Sequence, residues 1–593
     1  MGTPFPAFLR SLCCPMVSVP MSQAPVEPYD PYNQPPAFFD QHRDWVWAAG
    51  VFVATVVLTV MAFPPYHPEA AYAFALPAIY WAYLKPDFKL FAGTMAAAQA
   101  VAWTILLGWL HPVTWFGLFL IGPFVGAWVG VWYLAVWWTM PRMLGRATPN
   151  RLVAMLGLAA LWVVLEWTRT WLLTGFPWLP LAASQWTMVS ILQVAAYTGE
   201  YGVSFMVIAV NIGFAAYAHR LFREGAKGFN KRSQEFFLAL FLVLGCFCIF
   251  AVTSTNRRHF TVPLARVAFV QPYIPQATKW DESKAPAIMQ TLEEVTLRAA
   301  ATHPDLILWP EAVTPYPVNA SPPMRRWTED LVARANAQVL MGSVAIEKPN
   351  TPDEAWYNGA FLIDPVNGLV SQGYAKRHLV PFGEYVPLRP LLGWLKKFTD
   401  VGADDFQRGI DASTILVSSA SGAFTVGPLI CYEDVFSDLA RQSALAGADA
   451  LVVVTNDAWY GEGAAAYQHA AHAVLRAVET RRPVLRCGNG GWSGWIDEFG
   501  NVCAEVKRLP NGAITTQAKG DPTDKELNAA TVYFRGTATV NVTHDKRWVG
   551  VQSYYTEHGD WFVSACAALA TIAYYVVRIS KASPKPEEEE EAV

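Results

Sequence analysis

The sequence predicts an α/β layered unit inserted into an all-α bundle of eight transmembrane helices. Composition is the first reason: of 593 residues, 53% are hydrophobic and only 16% are charged, and mean hydropathy is +0.22. That is too apolar for a water-soluble chain of this size and points to one partly solvated by lipid. The second reason is a series of apolar runs, each near the roughly 20 residues that a helix needs to cross a bilayer. The third is the interval between the last two runs, where short β-rich stretches alternate with helical ones. The formal charge of −4 is small and the basic residues fall in short clusters, so the electrostatic footprint of a nucleic-acid binder is missing.

Residues 1–44 are rich in Pro and polar residues, carry no signal peptide of the usual form, and are expected to be a disordered cytoplasmic tail. The apolar runs follow at 45–63, 67–84, 89–110, 113–139, 151–174, 201–220 and 235–254, with the last at 561–578. Domain limits of 45–255 for a seven-helix bundle, 262–545 for a catalytic unit and 556–578 for the eighth helix follow, and 579–593 is an acidic cytoplasmic tail containing Glu587–Glu591.

Loop charges orient the bundle. Lys85 and Lys89 follow the second run, Arg142, Arg146 and Arg151 the fourth, and Arg220, Arg223, Lys227, Lys231 and Arg232 the sixth. Arg578, Lys581 and Lys585 follow the eighth. Loops after the first, third and fifth runs are almost free of Lys and Arg. Both termini are therefore expected in the cytoplasm and the catalytic unit on the opposite face. Within the fifth run, Glu166 and Arg169 share a helix face and are expected to pair, as a structural ion pair or as part of a headgroup-facing cavity. Gly175-Phe176-Pro177-Trp178 resembles an interfacial turn with an aromatic anchor.

The eight cysteines give no CxxC pair, no metal spacing and no disulfide framework. Cys246, Cys248 and Cys566 lie in apolar runs, the Cys13-Cys14 pair has no supporting context, and Cys487 and Cys503 could pair if their strands are neighbours.

Within the catalytic unit, strands are expected at 266–270, 305–308, 339–342, 359–363, 424–430, 450–454 and 484–486, with helices at 283–302, 325–336, 437–446 and 468–480. Near-continuous apolar strands mark a sheet covered on both faces. Polar residues gather where these strands end, the usual place for chemistry in α/β sheets. One strand runs into Trp309-Pro310-Glu311, another into Cys431-Tyr432-Glu433-Asp434, and a third into Thr455-Asn456-Asp457. The loop Lys376-Arg377-His378-Leu379-Val380-Pro381-Phe382-Gly383-Glu384 lies between them in sequence.

Glu311 at one strand end, Lys376 in that loop and Cys431 in an ICYED strand end resemble the Glu-Lys-Cys triad of the nitrilase superfamily. Five longer stretches, at 165–178, 270–280, 376–387, 431–436 and 455–491, resemble the apolipoprotein N-acyltransferase family in order along 45–578. The resemblance implies a nitrilase-like αββα sandwich in a bacterial inner membrane, facing the periplasm. It implies acyl transfer from a phospholipid, through a Cys431 thioester, to the α-amino group of a diacylglyceryl cysteine that begins an apolipoprotein. No metal or organic cofactor is expected, and the chain is expected to act as a monomer.

The chemistry agrees with those residue types. A thiol needs a base to become a nucleophile, and Glu311 supplies one. Lys376 places positive charge where the oxyanion develops. Glu384 and Glu433 are expected to orient Lys376 or handle the amine proton, and the Tyr432 N–H to join an oxyanion hole. Trp280, Trp459 and Tyr460 offer aromatic surface for an acyl channel, with Asn456 beside them. Blander readings stand next to these: Glu433 as a helix cap, Asn456 and Asp457 as turn formers, Trp459 as core, and His469 and His472 as structural. A membrane-anchored amidohydrolase and a non-enzymatic membrane scaffold are the competing functions. The stretch 505–530 looks longer than a plain hairpin and is expected to be a surface excursion.

Overall fold

The computed structural model describes residues 42–223, 233–370, 372–387, 389–392, 406–517 and 529–580. Residues 1–41 and 581–593, with Cys13, Cys14, Lys581, Lys585 and the Glu587–Glu591 run, lie outside the described residues. So do Lys227, Lys231, Arg232 and residues 518–528 of the expected excursion.

Among the described residues, seven helices are long and apolar enough to cross a bilayer. In chain order they are α1 (Arg43–Met61), α3 (Phe88–Leu106), α4 (Trp115–Met143), α5 (Thr148–Thr168), α6 (Glu200–Arg223), α7 (Gln234–Ser254) and the C-terminal α12 (Trp561–Ile579). The second apolar run is not one long helix. It forms a 3-10 turn at Pro68–Tyr72 and then the eight-residue α2 (Leu76–Tyr83). Two prolines, Pro68 and Pro77, each remove a backbone donor there. The interruption is repaired from α6: Asn211 Oδ1 accepts from Ala75 N at 2.9 Å, and Asn211 Nδ2 donates to Ala71 O at 2.8 Å. Broken backbone at membrane depth needs such a partner. Helices α3 and α4 approach closely at Gly126, where an added Cβ would fall 2.6 Å from the Gln99 backbone, the use membrane helices make of small residues.

The α/β unit contains two facing sheets. The first joins β13 (Gly536–Asp545), β1 (Thr261–Gln271), β2 (Leu306–Leu308), β3 (Gln338–Glu347), β4 (Ala355–Asp364) and β5 (Gly368–Leu369), with β6 (Tyr374–Ala375) also on β4. The second has the order β12-β11-β10-β9-β8-β7, from Val502–Glu505 through Gly494–Ile496, Val484–Gly488, Ala450–Thr455 and Gly422–Ile430 to Ile415–Ser419. Their inner faces share one core, in which Phe269, Leu308 and Leu340 meet Val426, Ile430 and Val452. Helices α8 (Ala285–Ala300) and α9 (Pro322–Ala335) cover the first sheet. Helices α10 (Ser437–Leu445) and α11 (Ala465–Thr480) cover the second. The layers are therefore αββα, as expected, and each predicted strand and helix lies within an observed one or overlaps it closely. Cys487 and Cys503 are both free. β11 lies between their strands, and two strand spacings, about 9.6 Å, exceed the reach of a disulfide.

The helical layer over the second sheet also packs against the membrane bundle. Val474 and Ala477 of α11 belong to the same buried cluster as Trp109, Leu181, Ile191 and Leu192. Glu166 and Arg169 do not bond each other. Glu166 Oε1 accepts from Leu181 N at 2.6 Å, while Arg169 donates to Trp178 O at 2.5 Å and to Phe176 O at 3.4 Å. Together they pin the segment 176–181. Trp178 is accordingly not an interfacial anchor: it is buried against α11, its ring 5.2 Å from His469 and its Nε1 2.9 Å from Gln468 Oε1.

One buried ion cluster closes this joint. Arg476 of α11 donates to Glu200 of α6 at 2.5 Å and lies 2.8 Å from Glu479, and Glu479 Oε1 accepts from Glu200 N at 2.7 Å. Removing one member of a buried pair strands the other. Arg476→Met is expected to lower stability by about 3–5 kcal/mol. Adding Glu200→Gln and Glu479→Gln to it should recover most of that loss, as measured by a mutant cycle of unfolding in detergent.

Candidate active site

Cys431 follows the last residue of β8 and opens a 3-10 turn, Cys431–Val435. Its φ is +51°, a conformation that costs a non-glycine residue on the order of 1–3 kcal/mol and is held only by its surroundings. The holding groups are visible. Glu433, fully buried, accepts from Ile430 N at 2.7 Å and Tyr374 Oη at 2.7 Å, and from Arg377 N at 2.6 Å and His378 N at 3.1 Å. Its bonds are to the cysteine turn and the 374–378 loop instead of the first turn of α10, and the Lys376 ammonium acts on it through space. Glu433 thus ties the 374–378 loop to the cysteine turn.

Lys376 enters from that loop. Its Nζ donates to Glu384 Oε1 at 2.9 Å and to Glu311 Oε1 at 3.4 Å. Asn358 of β4 bridges the same two oxygens, at 2.9 and 2.8 Å. Glu384 Oε2 accepts from Val380 N at 2.8 Å, which fixes the loop that carries it. Glu311 Oε2 is buried and has no hydrogen-bond partner among the described residues. A basic lone pair is therefore left uncommitted within the cluster.

The electrostatics follow from burial and these neighbours. Burial pushes the Cys431 thiol well above its usual value; Glu311 adds to this, while Lys376 and the Thr455 hydroxyl oppose it. Burial would lower the Lys376 ammonium, but Glu384, Glu311 and Cys431 more than reverse that, and its pKa is raised. At neutral pH the cluster therefore holds a thiol and an ammonium. His378, half-buried and facing Arg408 and Lys376, falls to about 4 and is neutral.

Two family models match the chain: the apolipoprotein N-acyltransferase N-terminal domain over residues 55–213, and carbon-nitrogen hydrolase over 266–521. The apolipoprotein N-acyltransferase of Geobacter metallireducens is 32% identical over 446 residues, covering 74% of this chain and 77% of the relative. The chain belongs to the apolipoprotein N-acyltransferase family. The Rickettsia typhi member is 31% identical over 417 residues, covering 66% of this chain and 79% of its own. Among solved structures, Saccharomyces cerevisiae Nit3, of the nitrilase superfamily, is 18% identical with a TM-score of 0.32, covering 50% of this chain and 94% of its own.

Other members of the site in this apolipoprotein N-acyltransferase family chain fall as follows. The Tyr432 ring packs edge-on to Phe436 at 5.1 Å, and its hydroxyl donates to Gly175 O of the membrane half at 3.4 Å. Its N–H belongs to the first turn of the 3-10 helix, where backbone donors lack intrahelical acceptors. Trp280 is 55% exposed beside Lys279, at the surface. Trp459 is half-buried. Tyr460 packs against Trp109 of the bundle at 4.5 Å. Asn456 is buried, donating to Gln276 Oε1 at 2.7 Å and accepting from Asn489 at 2.9 Å. Its amide latches the 272–280 segment instead of presenting a free group.

Several residues that shape the site were not singled out from the sequence. Lys279, immediately before Trp280, is buried and donates to Glu311 O at 3.0 Å; burial lowers it to about 8 against the pull of Glu311 and Cys431. Asn358 sits mid-strand in β4, and Tyr374 opens the two-residue β6 just before Lys376. His469, read as structural, lies beneath the cysteine. Its Nδ1 is 2.8 Å from Asp457 Oδ1, and its Nε2 is 2.8 Å from Asp434 Oδ1 and 3.3 Å from Cys431 O. Arg486 joins both aspartates, at 2.5 and 3.2 Å.

Gly342 sets how near β3 comes to Glu311: an added Cβ would lie 2.6 Å from Glu311 Cα and 2.8 Å from Pro310 O. Gly342→Ala is expected to displace Glu311 and slow acylation of Cys431 by about 10²-fold, the usual consequence of an ångström-scale misplacement, with the fold retained by circular dichroism.

Burial and Arg486 lower His469, and Asp434 and Asp457 outweigh them, so its folded pKa lies above the usual 6.5. The stability this adds is complete below about pH 6.5 and fades as pH rises through the raised folded value. His469→Gln should therefore lower the melting temperature most near pH 6, with the gap to wild type narrowing in alkaline buffer. A gap independent of pH would show the ring to be uncharged.

Proposed function

We propose that this chain moves a fatty acyl group from a phospholipid, through a thioester on Cys431, to the α-amino group of the N-terminal S-diacylglyceryl cysteine of an apolipoprotein. The observation that carries the reading is a juxtaposition. A buried thiol–carboxylate–amine cluster sits under a helical layer that packs directly on a bundle of apolar, lipid-length helices. Membership of the family supports the same acceptor.

In the first half-reaction the Cys431 sulfur attacks the ester carbonyl of the lipid as Glu311 takes the thiol proton. The tetrahedral oxyanion forms beside the fixed charge of Lys376. The C–O bond breaks, the lysophospholipid alkoxide receives the proton from Glu311, and the thioester remains. In the second, the lipoprotein amine attacks the thioester carbonyl, its surplus proton passes to Glu311, and the C–S bond breaks. The proton then returns to the sulfur. Glu384 and Asn358 orient the amine and carboxylate, and Glu433 holds the loop. Trp280, Trp459 and Tyr460 line the route of the acyl and glyceryl-lipid chains.

The bundle explains why the reaction is run in a membrane. Each methylene drawn out of the bilayer costs about 0.8 kcal/mol, so a catalytic unit brought to the lipid avoids that penalty for both substrates. The basic loops after the second, fourth and sixth apolar runs support a cytoplasmic location for both chain ends and a periplasmic catalytic unit on the bacterial inner membrane. On this reading α2 and the turn before it make the eighth crossing.

Incubation of the purified protein with phospholipid should add one acyl mass to the tryptic peptide containing Cys431, and none in Cys431→Ala. A diacylated lipopeptide should discharge the adduct as an amide, while buffer alone leaves it in place. Rapid loss as free fatty acid in both arms would identify a hydrolase. Lys376→Met should slow acylation by about 10²–10³-fold, the scale of losing an oxyanion donor.

A further inference from the structure

The end of α7 carries an arrangement that the acyl-transfer chemistry does not use. This helix has a mean hydropathy of 2.8 and is the least buried of the long helices, at 11%, so its flanks face acyl chains. Its 21 residues span about 31 Å, close to the thickness of a hydrocarbon core. Ser254 at its end thus lies at headgroup depth, and Val252 just before is 74% exposed. Beyond it opens a recess of about 550 Å³ lined by Ser254, Asn256, Arg257, Arg258, His259 and Thr261.

The positive charge there is in excess. Arg257 is taken by Asp497, and Arg547 by Asp545. A neutralising role at the helix C-terminus is also filled, because Arg547 donates to Thr253 O at 3.2 Å and Thr255 O at 3.4 Å. The Arg258 guanidinium has no partner among the described residues, and Arg258 and His259 are both exposed. Lys546 adds a further cation nearby, 5.8 Å from the Phe260 ring. The recess lies at the opposite end of the sheets from Cys431. It opens where β1 begins at Thr261, whereas the site gathers where β1 ends at Gln271. Ten strand steps separate those points by roughly 33 Å.

We propose that this recess binds the phosphate of a membrane phospholipid headgroup, with Arg258 and His259 as its ligands, at a site separate from the acyl-transfer centre. The lipid tails lie along α7, and the phosphate sits over the Arg258 guanidinium and the His259 ring. The catalytic unit is then held to the headgroup layer at both ends of β1, by the bundle at one and by this lipid at the other.

The test uses the full chain in the Cys431→Ala background, so that no thioester enters the count and its outcome is independent of the acyl-transfer reading. Native mass spectrometry in detergent titrates phosphatidylglycerol or diacylglycerol. Arg258→Gln with His259→Gln should weaken retention of one phosphatidylglycerol at least fivefold and leave diacylglycerol unchanged. In the parent protein, a phosphatidylglycerol carrying a photoreactive headgroup should label the peptide that spans 254–261. Unchanged retention in the variant, or labelling only elsewhere, overturns the proposal. Displacement by inorganic phosphate at the lipid's own concentration also overturns it, by showing a free-anion site. Should the double variant fail to fold, the labelling in the parent protein decides.

Discussion

Four charged side chains, all fully buried, lie directly beneath the cysteine turn: Asp434, Asp457, His469 and Arg486. Charges this deep survive only when each meets its complement, and here two carboxylates meet one guanidinium and the His469 ring, whose pKa they raise. The closure requires four elements at once, the β8 turn, the end of β9, strand β10 and helix α11. None can shift register without stranding a charge. Cys431 can therefore be held at a positive φ that its own side chain disfavours, with Nε2 of His469 touching its carbonyl.

The same helix extends that constraint into the membrane. One face of α11 gives His469 to the cysteine turn, and Arg476 also donates to Val435 O at 2.9 Å within that turn. Other positions on α11 reach the bundle. Gln468 receives Trp109 and Trp178 at 2.9 Å each and donates to Leu106 O at 3.1 Å. Leu179 N donates to His472 at 3.3 Å, and burial keeps that ring's pKa well below its usual value, hence neutral and able to accept. The apolar half is thus a wall of the catalytic half, joined by specific polar contacts, and not a tether.

This division explains what could be read from the chain alone. The strands, their covering helices and the polar strand ends are local patterns, and each reappears where periodicity places it. Glu311, Lys376 and Cys431 stand in such patterns and are brought together. What sequence could not show is which buried polar groups meet across hundreds of residues. Asn211 repairs a break near Ala71, and nothing near either position announces it. Glu166 and Arg169, three apart on one helix, looked like mutual partners, yet backbone groups of 176–181 compete for both and win. A carboxylate that can satisfy an amide already short of an acceptor gains more than one facing a cation across a helix turn. Trp178 was misplaced for the same reason, since its burial depends on α11, some 290 residues later.

The resting charge state has a consequence for how the centre is used. A thiol pushed up by burial is a weak nucleophile, so the cysteine does not react with whatever reaches it. On the proposed reading its proton goes to Oε2 of Glu311, which has no hydrogen-bond partner among the described residues. Moving that proton leaves sulfur negative and the carboxyl neutral beside an unchanged Lys376 ammonium, so net charge in the pocket is conserved. The transfer becomes favourable only as the sulfur bonds to a carbonyl carbon and the charge passes to oxygen near the amine. On the proposed reading, activation and attack are then one event, driven by the ester itself. A site enclosed this tightly gains selectivity from that coupling: water entering the pocket brings no electrophile, and the thiol stays protonated until a lipid ester arrives.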